Sequence, residues 1–414
     1  MAPPAALPDS MEAQFLDAFN TPYALRSVPL PALTSPHDML IRVDAASYCH
    51  TDAVLAAGQM APHPPSFPHI SCHEFAGTVV ALPPDPDQHQ NQDPSSSSSD
   101  WHMYKIGDRV GVPGRAYHPC GSCFECLPTA ADKHPHSDLA NARVKGYSPY
   151  CPHALNLGIS TAGGFAQYAL VDARQIAFLP DEISAVDAAA LMCAGLTIYA
   201  ALKRCGLQKR QMVGIMGCGG GLGHLGVGFA MGMGLRVVGV EVGDGALEVA
   251  RGVVRRFESG GGEESWDGKE EQKGVRIVDA RVEDAEEVVR KLGEEDGKKD
   301  RGDMGVDAVI ILPESQKAFD YGVGLLRNHG RCVVVSFPQG GFHLSARDLV
   351  FRDVSVVGSL VGSNEELREM LQFAAEHGIR PSAKTFPLTG LNELVEEYHN
   401  GGGGKLVVDM HFGE

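Results

Sequence analysis

The 414-residue sequence has too few basic residues to balance its acidic ones. It contains 35 Lys and Arg against 52 Asp and Glu, which gives a formal net charge of -17. Proteins that bind nucleic acids carry a surplus of Lys and Arg to neutralise phosphates, and no basic stripe is present here. The composition therefore argues against a nucleic-acid partner.

The sequence also lacks the signals of export and membrane insertion. Its opening, MAPPAALPDSMEAQ, has no basic stretch leading into an apolar run, so we expect no secretory signal. Residues 212–235 contain no Asp, Glu, Lys or Arg, but they are crowded with glycine, and we predict no membrane span. Ten cysteines, several spaced like metal ligands, favour a reduced cytoplasmic protein over a disulfide scaffold.

Length and periodicity predict two domains, because chains beyond about 250–300 residues usually divide. The first third has strands interrupted by Gly and Pro, such as MLIRVDAA, FAGTVVAL and DRVGV, which predict a mostly β domain. Further on, short apolar runs alternate with helical patterns, as in QMVGIMG, LGHLGVGFAMGMG and LRVVGVE. This alternation predicts a parallel, doubly wound α/β sheet. The last helix and strand are predicted to pack back on the first domain.

Three segments are predicted to be loop insertions. Residues 83–100 read PPDPDQHQNQDPSSSSSD and predict a disordered surface loop, because they offer no apolar side chain for packing. The second insertion lies between Cys126 and Cys151. The third, 258–303, is rich in Glu, Lys and Gly, although VRIVDARVEDAEEVVRKL within it predicts a short strand and then a helix.

The run GCGGGLG at 217–223 follows a predicted strand and opens a predicted helix. Glycines there let the backbone turn tightly against a pyrophosphate, and the first amides of the helix attract the anion. The residues assigned to this cofactor-binding turn are Gly217, Gly220, Gly221, Leu222 and Gly223. Glu241, about 20 residues further on, is suited to the adenosine ribose hydroxyls and would repel a 2′-phosphate. The pattern predicts NAD(H) over NADP(H); the alternatives are a plain glycine-rich turn and an acid that merely ends a strand.

The run CGSCFEC places Cys120, Cys123 and Cys126 at the spacing of thiolates that converge on one tetrahedral zinc. A closed set of four protein ligands makes such a site structural. His134 and Cys151 both qualify as the fourth ligand. Cys151 is preferred, because closure by four thiolates is common and this residue lies in a compact YCPH turn.

Cys49, His73 and Cys193 are unremarkable singly, since free cysteines are usually small buried hydrophobes and single histidines satisfied polar groups. Together they form a Cys2His set with one coordination position open, which is the arrangement of a catalytic zinc. Asp52 is a candidate to hold the far nitrogen of His73, and it could also serve as a helix N-cap. Glu74 is a candidate to approach the metal from behind.

Together these motifs resemble the zinc-dependent alcohol dehydrogenases of the medium-chain dehydrogenase/reductase superfamily, closest to the yeast and fungal type. The resemblance rests on YCHTD, SCHEFAGTVV, KIGDRVGV, CGSCFEC, YCPH, GGFAQYALV, LMCAGLTIYAAL, the glycine run with Glu241, VVGSLVGS and GKLVVDM. It implies a GroES-like, mostly β catalytic domain with a structural zinc lobe over 1–181. It further implies a Rossmann-type NAD-binding domain over 182–362 and a segment, 363–414, that returns to the catalytic domain.

The resemblance also implies roles for individual residues. The Cys2His set would hold the catalytic zinc, and Thr51 would receive the hydroxyl proton of the substrate. His50 and Lys405, the latter where an arginine is common, would approach the pyrophosphate, and Thr197 would touch the nicotinamide.

The implied reaction is the interconversion of an alcohol and its aldehyde or ketone, with two Zn2+ per chain and NAD(H). Two alternatives are a dedicated carbonyl reductase on the same scaffold and a binding protein that has lost turnover. A homodimer or homotetramer is expected, with the apolar run VSVVGSLV extending a sheet across a two-fold axis.

Several residues depart from the family pattern. Cys72 stands where the motif has glycine, and we expect it to be buried and unligated. Val54 replaces the histidine that ends the proton relay in many members, so the proton from Thr51 would leave through the cofactor ribose, to solvent or to His50. Ala56, Met60 and Arg115 replace aromatic residues that narrow the pocket, which predicts a substrate larger than ethanol.

Overall fold

The computed structural model describes residues 7–83, 103–115, 117–127, 149–258 and 274–413. The loop predicted at 83–100, apart from its first residue, lies outside these ranges, as do most of the second insertion and His134. All ten cysteines lie within them, and none forms a disulfide.

The secondary structure alternates between a strand-rich first part and a helix-and-strand second part. The strands are β1 (Ser10–Phe15), β2 (Ala24–Pro29), β3 (Asp38–Tyr48), β4 (Glu74–Ala81), β5 (Arg109–Pro113), β6 (Tyr168–Asp172), β7 (Ala177–Phe178), β8 (Met212–Met216), β9 (Arg236–Glu241), β10 (Val275–Asp279), β11 (Val306–Ile311), β12 (Leu326–Val334), β13 (Ser355–Gly358), β14 (Ala383–Phe386) and β15 (Lys405–Asp409). The helices are α1 (His50–Ala56), α2 (Ala185–Ala190), α3 (Leu196–Cys205), α4 (Gly223–Gly232), α5 (Asp244–Glu258), α6 (Ala285–Glu295), α7 (Gln316–Leu325), α8 (Ala346–Arg352), α9 (Asn364–Glu376) and α10 (Leu391–Asn400).

A six-stranded sheet in the order β10-β9-β8-β11-β12-β13 forms the second part of the molecule. Every neighbouring pair in it is parallel. Numbered from β8, the order is 3-2-1-4-5-6, the doubly wound dinucleotide-binding arrangement, whose ligand crevice lies where the strand order reverses between β8 and β11. The predicted fold class is confirmed.

The apolar sequence of β8 explains its central place in that sheet. Side chains alternate across a strand, so Val213 and Ile215 lie in the core on one face of the sheet, and Met212 and Met216 lie in the core on the other. All five residues of the strand are buried, as expected for a parallel strand that is covered on both faces. The glycine run follows directly at its carboxyl end.

The second large sheet, in the order β14-β15-β3-β4-β5-β7, is mostly antiparallel, and β6 also pairs with β3. Its strand β15 pairs antiparallel with β3, placing Leu406 opposite Tyr48. Strand β15, near the end of the chain, therefore belongs to the same sheet as β3 and β4. Helix α9 packs instead against α3 of the other part, and the division at residues 181 and 362 stays a prediction.

Within the described ranges, one helical segment, Ala185–Cys205, has the length and composition of a membrane-crossing helix. It consists of α2, a π-helical turn at Leu191–Gly195, and α3. In this fold 78% of its most apolar window is buried inside the protein. The segment is accordingly a core helix here, and its π turn contains Cys193.

The short strand and the helix predicted within 258–303 are present as β10 and α6, but they belong to the main sheet and its covering layer rather than to a loop insertion. Strand β10 pairs in parallel with β9 at the sheet edge, and Val288, Val289 and Leu292 of α6 lie in the core. Charged residues dominate the composition because an edge strand and its covering helix keep one face in water. Residues 259–273 lie outside the described ranges.

Candidate active site

Cys49, His73 and Cys193 come together from three separate elements. Their ligand atoms all lie within 4.8 Å of one another. Cys49 is the residue before α1, His73 precedes β4, and Cys193 lies in the π turn between α2 and α3. π-Helical turns frequently occur at functional sites, because the extra residue re-aims a side chain. The sequence-predicted Cys2His set is therefore one spatial cluster.

The electrostatics of this cluster fit a bound cation. The hydrogen bond from Cys193 is the main cause that holds the pKa of the Cys49 thiol well below its usual value. Burial opposes the charge on His73, but Asp52 and Cys49 raise its pKa well above the usual value. Cys49 is only 7% exposed and His73 only 2% exposed. Two sulfurs and an imidazole are donors of the kind that bind zinc.

Asp52 supports the cluster differently from the predicted contact. Its carboxylate accepts hydrogen bonds from the backbone N–H groups of Cys49 at 2.9 Å and Cys72 at 3.0 Å. Its Oδ1 lies 3.7 Å from His73 Nδ1, which is an ion-pair distance and too long for a hydrogen bond. The N-cap of α1 is Cys49, and Asp52 occupies the third helical position of a capping box. The N-cap hypothesis for Asp52 was wrong by three residues, although the residue does cap the helix.

Glu74 and Lys405 form a buried ion pair next to the cluster. Glu74 Oε1 contacts Lys405 Nζ, and its Oε2 accepts a hydrogen bond from Ala194 N at 3.3 Å. Lys405 Nζ also donates to Tyr48 O at 2.9 Å, and the residue is only 4% exposed. The structure therefore directs the Lys405 ammonium inward to Glu74, while its alkyl stem lies beside Gly221. Glu74 is not among the three converging donors.

Two hydroxyl groups flank the sulfurs of the cluster. Thr51 Oγ1 lies 3.9 Å from Cys49 Sγ, and Thr197 Oγ1 lies 4.0 Å from Cys193 Sγ. His50 is half exposed and has Nδ1 2.7 Å from Tyr398 Oη and Nε2 3.3 Å from Glu314 Oε1. The sequence did not indicate Tyr398 or Glu314, because both are distant along the chain and belong to no motif.

The glycine run forms a tight turn between β8 and α4. Gly217 has a φ of +74°, and a Cβ on Gly223 would lie 2.0 Å from Gly217 O. A Cβ on Gly220 would lie 3.4 Å from Gly217 O, an ordinary van der Waals contact, and Leu222 is the residue before α4. The sequence analysis missed Gly219, where a Cβ would lie 1.8 Å from Ala246 O. Its place inside the run was the available signal.

Glu241 ends β9 beside this turn. Its Oε2 accepts a hydrogen bond from Gly219 N at 3.2 Å and its Oε1 one from Val242 N at 2.8 Å. Each carboxylate oxygen has a second lone pair. The acid is therefore fixed against the glycine turn and retains acceptor sites.

The second metal-ligand set is Cys120, Cys123, Cys126 and Cys151, whose sulfurs lie within 4.8 Å of one another. Cys151 Sγ is 3.7 Å from Cys120 Sγ and 3.8 Å from Cys123 Sγ. Two sulfurs at about 2.3 Å from one tetrahedral zinc are about 3.8 Å apart, whereas disulfide sulfurs are about 2.0 Å apart. The distances fit a four-thiolate zinc that includes Cys151. His134 lies outside the described residues.

Cys72 is buried and has a φ of +81°, a left-handed backbone that strains any residue with a Cβ. Its thiol donates to Ser47 O at 3.4 Å and Glu74 O at 3.3 Å, and burial raises its pKa.

We expect Cys72→Gly to be more stable than Cys72→Ala by about 1 kcal/mol, because both lose the thiol and only glycine removes the strain. Urea unfolding of the two zinc-loaded variants measures this difference, and equal midpoints would contradict it.

Comparisons with known proteins agree with this geometry. The alcohol dehydrogenase GroES-like domain model matches residues 35–181, and the zinc-binding dehydrogenase model matches residues 221–376. An alcohol dehydrogenase of Geobacillus stearothermophilus is 31% identical over 393 residues, 94% of this chain and 97% of that one. Alcohol dehydrogenase 1 of Neurospora crassa is 28% identical and covers 98% of this chain and 99% of its own length.

Solved structures show the same fold. The alcohol dehydrogenase of the archaeon Aeropyrum pernix superposes with a TM-score of 0.71 at 24% identity, covering 96% of this chain and 99% of that one. Fold, metal-ligand clusters and full-length similarity agree. The chain belongs to the zinc-dependent alcohol dehydrogenases of the medium-chain dehydrogenase/reductase superfamily.

Proposed function

We propose that the protein interconverts an alcohol and its aldehyde or ketone by hydride transfer with NAD(H), at a zinc held by Cys49, His73 and Cys193. The observation that carries the proposal is the convergence of these three side chains beside the Thr51 hydroxyl. A Cys2His set leaves one position of a tetrahedral metal open, and an open position is what a catalytic site requires.

The chemistry divides between the cofactors and the chain. Zinc in such a site is a Lewis acid that acidifies a bound hydroxyl or polarises a carbonyl, and the nicotinamide supplies the redox partner. Thr51, held next to Cys49, receives the hydroxyl proton of the substrate. Asp52 fixes the start of α1 and lies beside the His73 ring, so that the metal ligands keep their positions.

The coenzyme binds at the glycine turn that follows β8. Gly217, Gly220, Gly221, Leu222 and Gly223 surround the pyrophosphate, and Thr197 lies on the nicotinamide side. Glu241 accepts hydrogen bonds from the ribose hydroxyls of the coenzyme. Its negative charge repels the 2′-phosphate of NADP(H), so NAD(H) is the coenzyme.

The proton from Thr51 needs an exit, because Val54 stands where many members have a histidine. His50 is suited to this role: it neighbours Thr51 in α1, is half exposed, and contacts both Tyr398 and Glu314. The His50 ring can therefore take the proton that arrives from Thr51 through the cofactor ribose and release it to solvent.

The role of Lys405 is to neutralise Glu74, in addition to placing its stem under the glycine turn.

Non-aromatic residues in place of aromatic ones, at Ala56, Met60 and Arg115, favour a substrate larger than ethanol. A reductase acting on aldehydes or ketones uses the same groups in reverse, and the direction in the cell depends on metabolite levels.

Ten free thiols favour a reducing compartment, and we place the protein in the cytoplasm without a nucleic-acid or membrane partner.

We further propose a homodimer formed through β13 and α8. Strand β13 is at the sheet edge, and nearby Val350 and Phe351 of α8 are 74% and 77% exposed. Exposed apolar side chains beside an edge strand indicate an interface.

We expect Phe351→Glu to shift the protein from twice the chain mass to the chain mass in light scattering. Phe412→Glu is the control, because this phenylalanine is also exposed, at 51%, and lies in the turn after β15. An unchanged mass for Phe351→Glu would contradict the interface.

The proposed function is tested with the purified, zinc-loaded protein and a panel of alcohols and aldehydes of increasing size. NADH absorbance measures turnover in both directions, and parallel assays use NADP(H). We expect turnover that requires zinc, uses NAD(H) at least about 10-fold better than NADP(H), and is more efficient with longer substrates than with ethanol. Absence of turnover with every member of the panel would favour the binding-protein alternative.

A further inference from the structure

An arginine whose Nε is buried and unpaired lies beside the Cys2His cluster. Arg115 Nε is buried and has no hydrogen-bond partner, and no described residue forms an ion pair with this side chain. Burial lowers the pKa of Arg115, yet a guanidinium remains charged at neutral pH. Leaving such a donor unpaired is costly, so a partner from outside the chain would be bound favourably.

The backbone holds Arg115 against a metal ligand. The preceding residue, Gly114, donates its N–H to His73 O at 2.7 Å, and a Cβ on it would lie 2.5 Å from His73 Cβ. Only glycine permits this contact, which brings the next side chain to the cluster. Arg115 therefore directly follows the backbone contact with His73, a member of the Cys2His cluster.

The guanidinium faces a narrow cavity with other unpaired polar groups. Arg115, Gln175 and Asn364 line a space of about 10 Å³, which is enough for one water-sized group. Gln175 is 8% exposed and its Nε2 has no partner; Asn364 Oδ1 has none either, while its Nδ2 donates to Arg174 O at 3.0 Å. This space adjoins a cavity of about 170 Å³. The two cavities share Pro149, Val361, Gly362 and Ser363.

We propose that Arg115 determines specificity by binding a carboxylate of the substrate, with Gln175 Nε2 as a second donor. The favoured substrates are then alcohols and aldehydes that bear a carboxylate a few bonds from the reacting carbon. The planar guanidinium matches a carboxylate with two parallel hydrogen bonds, and the narrow cavity admits one of its oxygens. Asn364 Oδ1 accepts from a water or a hydroxyl of the same ligand. The inference rests on the proposed function.

The charge of the whole protein makes this subsite distinctive. A net charge of -17 repels anionic substrates from most of the surface. A preference for an acid over a neutral alcohol of equal length must therefore come from a local cation. Gln175 and Arg115 both belong to the first part of the chain, and residues 361–364 follow β13, so the subsite lies between the two large sheets.

The test compares substrates that differ only at the end remote from the reacting hydroxyl. These are 4-hydroxybutyrate with 1,4-butanediol, 5-hydroxypentanoate with 1,5-pentanediol, and 6-hydroxyhexanoate with 1,6-hexanediol, assayed with the zinc-loaded enzyme and NAD. We expect at least one acid to have a kcat/KM about 10- to 100-fold above that of its diol. Arg115→Gln is expected to abolish this ratio, and Arg115→Lys to retain part of it.

Arg26→Gln is the matched control, because it removes the same charge from an exposed arginine of β2. We expect it to preserve the acid-to-diol ratio. Equal loss of acid and diol oxidation in Arg115→Gln would show that Arg115 acts only on the metal cluster, which would overturn the inference. Diol oxidation without any preference for an acid would also overturn it while leaving the proposed function intact. Failure to oxidise any alcohol would count against the proposed function itself.

Discussion

Cys193→Ala is expected to lose one of two zincs per chain and to lower kcat/KM by at least about 1,000-fold for every alcohol. The metal stabilises the developing charge by several kcal/mol, and about 1.4 kcal/mol corresponds to a factor of ten. The two remaining donors, Cys49 and His73, cannot hold zinc tightly in a site built for three. Zinc content by mass spectrometry and NADH absorbance measure the two effects.

A matched replacement separates the two metal sites. Cys151→Ala is expected to lose the other zinc and to lower the unfolding temperature, because a structural zinc contributes directly to folding free energy. Cys332→Ala is the control: this buried thiol belongs to neither cluster, and the variant should keep both metals. Unchanged zinc content in Cys193→Ala would refute the assignment of the catalytic ligands.

Breaking the ion pair between Glu74 and Lys405 is expected to destabilise the protein by about 3–5 kcal/mol, because either single replacement leaves a buried charge without its partner. Lys405→Met and Glu74→Gln should each show this loss in urea unfolding. The double variant should lose less than the sum of the two, since no uncompensated charge remains. Strict additivity would show that the two side chains do not act as a pair.

A surface pair provides the comparison for this cycle. Lys203 Nζ and Glu369 Oε2 are 2.6 Å apart, but their side chains are 37% and 48% exposed. Water screens such a pair, so Lys203→Met should change the free energy of unfolding by at most about 1 kcal/mol. The contrast between the two pairs isolates the effect of burial from that of removing a lysine.

The metal sites were accessible to sequence reasoning because few residue types bind zinc and their spacing is restricted. Cys120, Cys123 and Cys126 lie on one short turn, so local geometry almost fixes their convergence. Cys49 and Cys193 are 144 positions apart, and only the joint pattern indicated that they meet. The glycine turn and Glu241 were accessible for the same reason, because pyrophosphate binding restricts both residue type and spacing.

Contacts between distant, chemically ordinary residues could not be predicted. Lys405 was expected at the pyrophosphate, and nothing in its sequence neighbourhood indicated that its ammonium meets Glu74, 331 positions away. Gly219 was missed because its close approach to Ala246 O depends on how α5 packs against the turn. Strand β10 was predicted as a strand, but its place in the main sheet was not, since the charged and glycine-rich residues around it are typical of an insertion.

The pairing of β15 with β3 affects the order in which the molecule can be built during translation. Strand β3 is synthesised more than 350 residues before its partner strand β15. The edge of β3 that pairs with β15 therefore stays open while the nucleotide-binding half is synthesised. An unpaired edge is a template for wrong partners. Nascent chains of this protein should therefore depend on chaperones until the final strand arrives, and the same arrival delivers the counter-ion of Glu74.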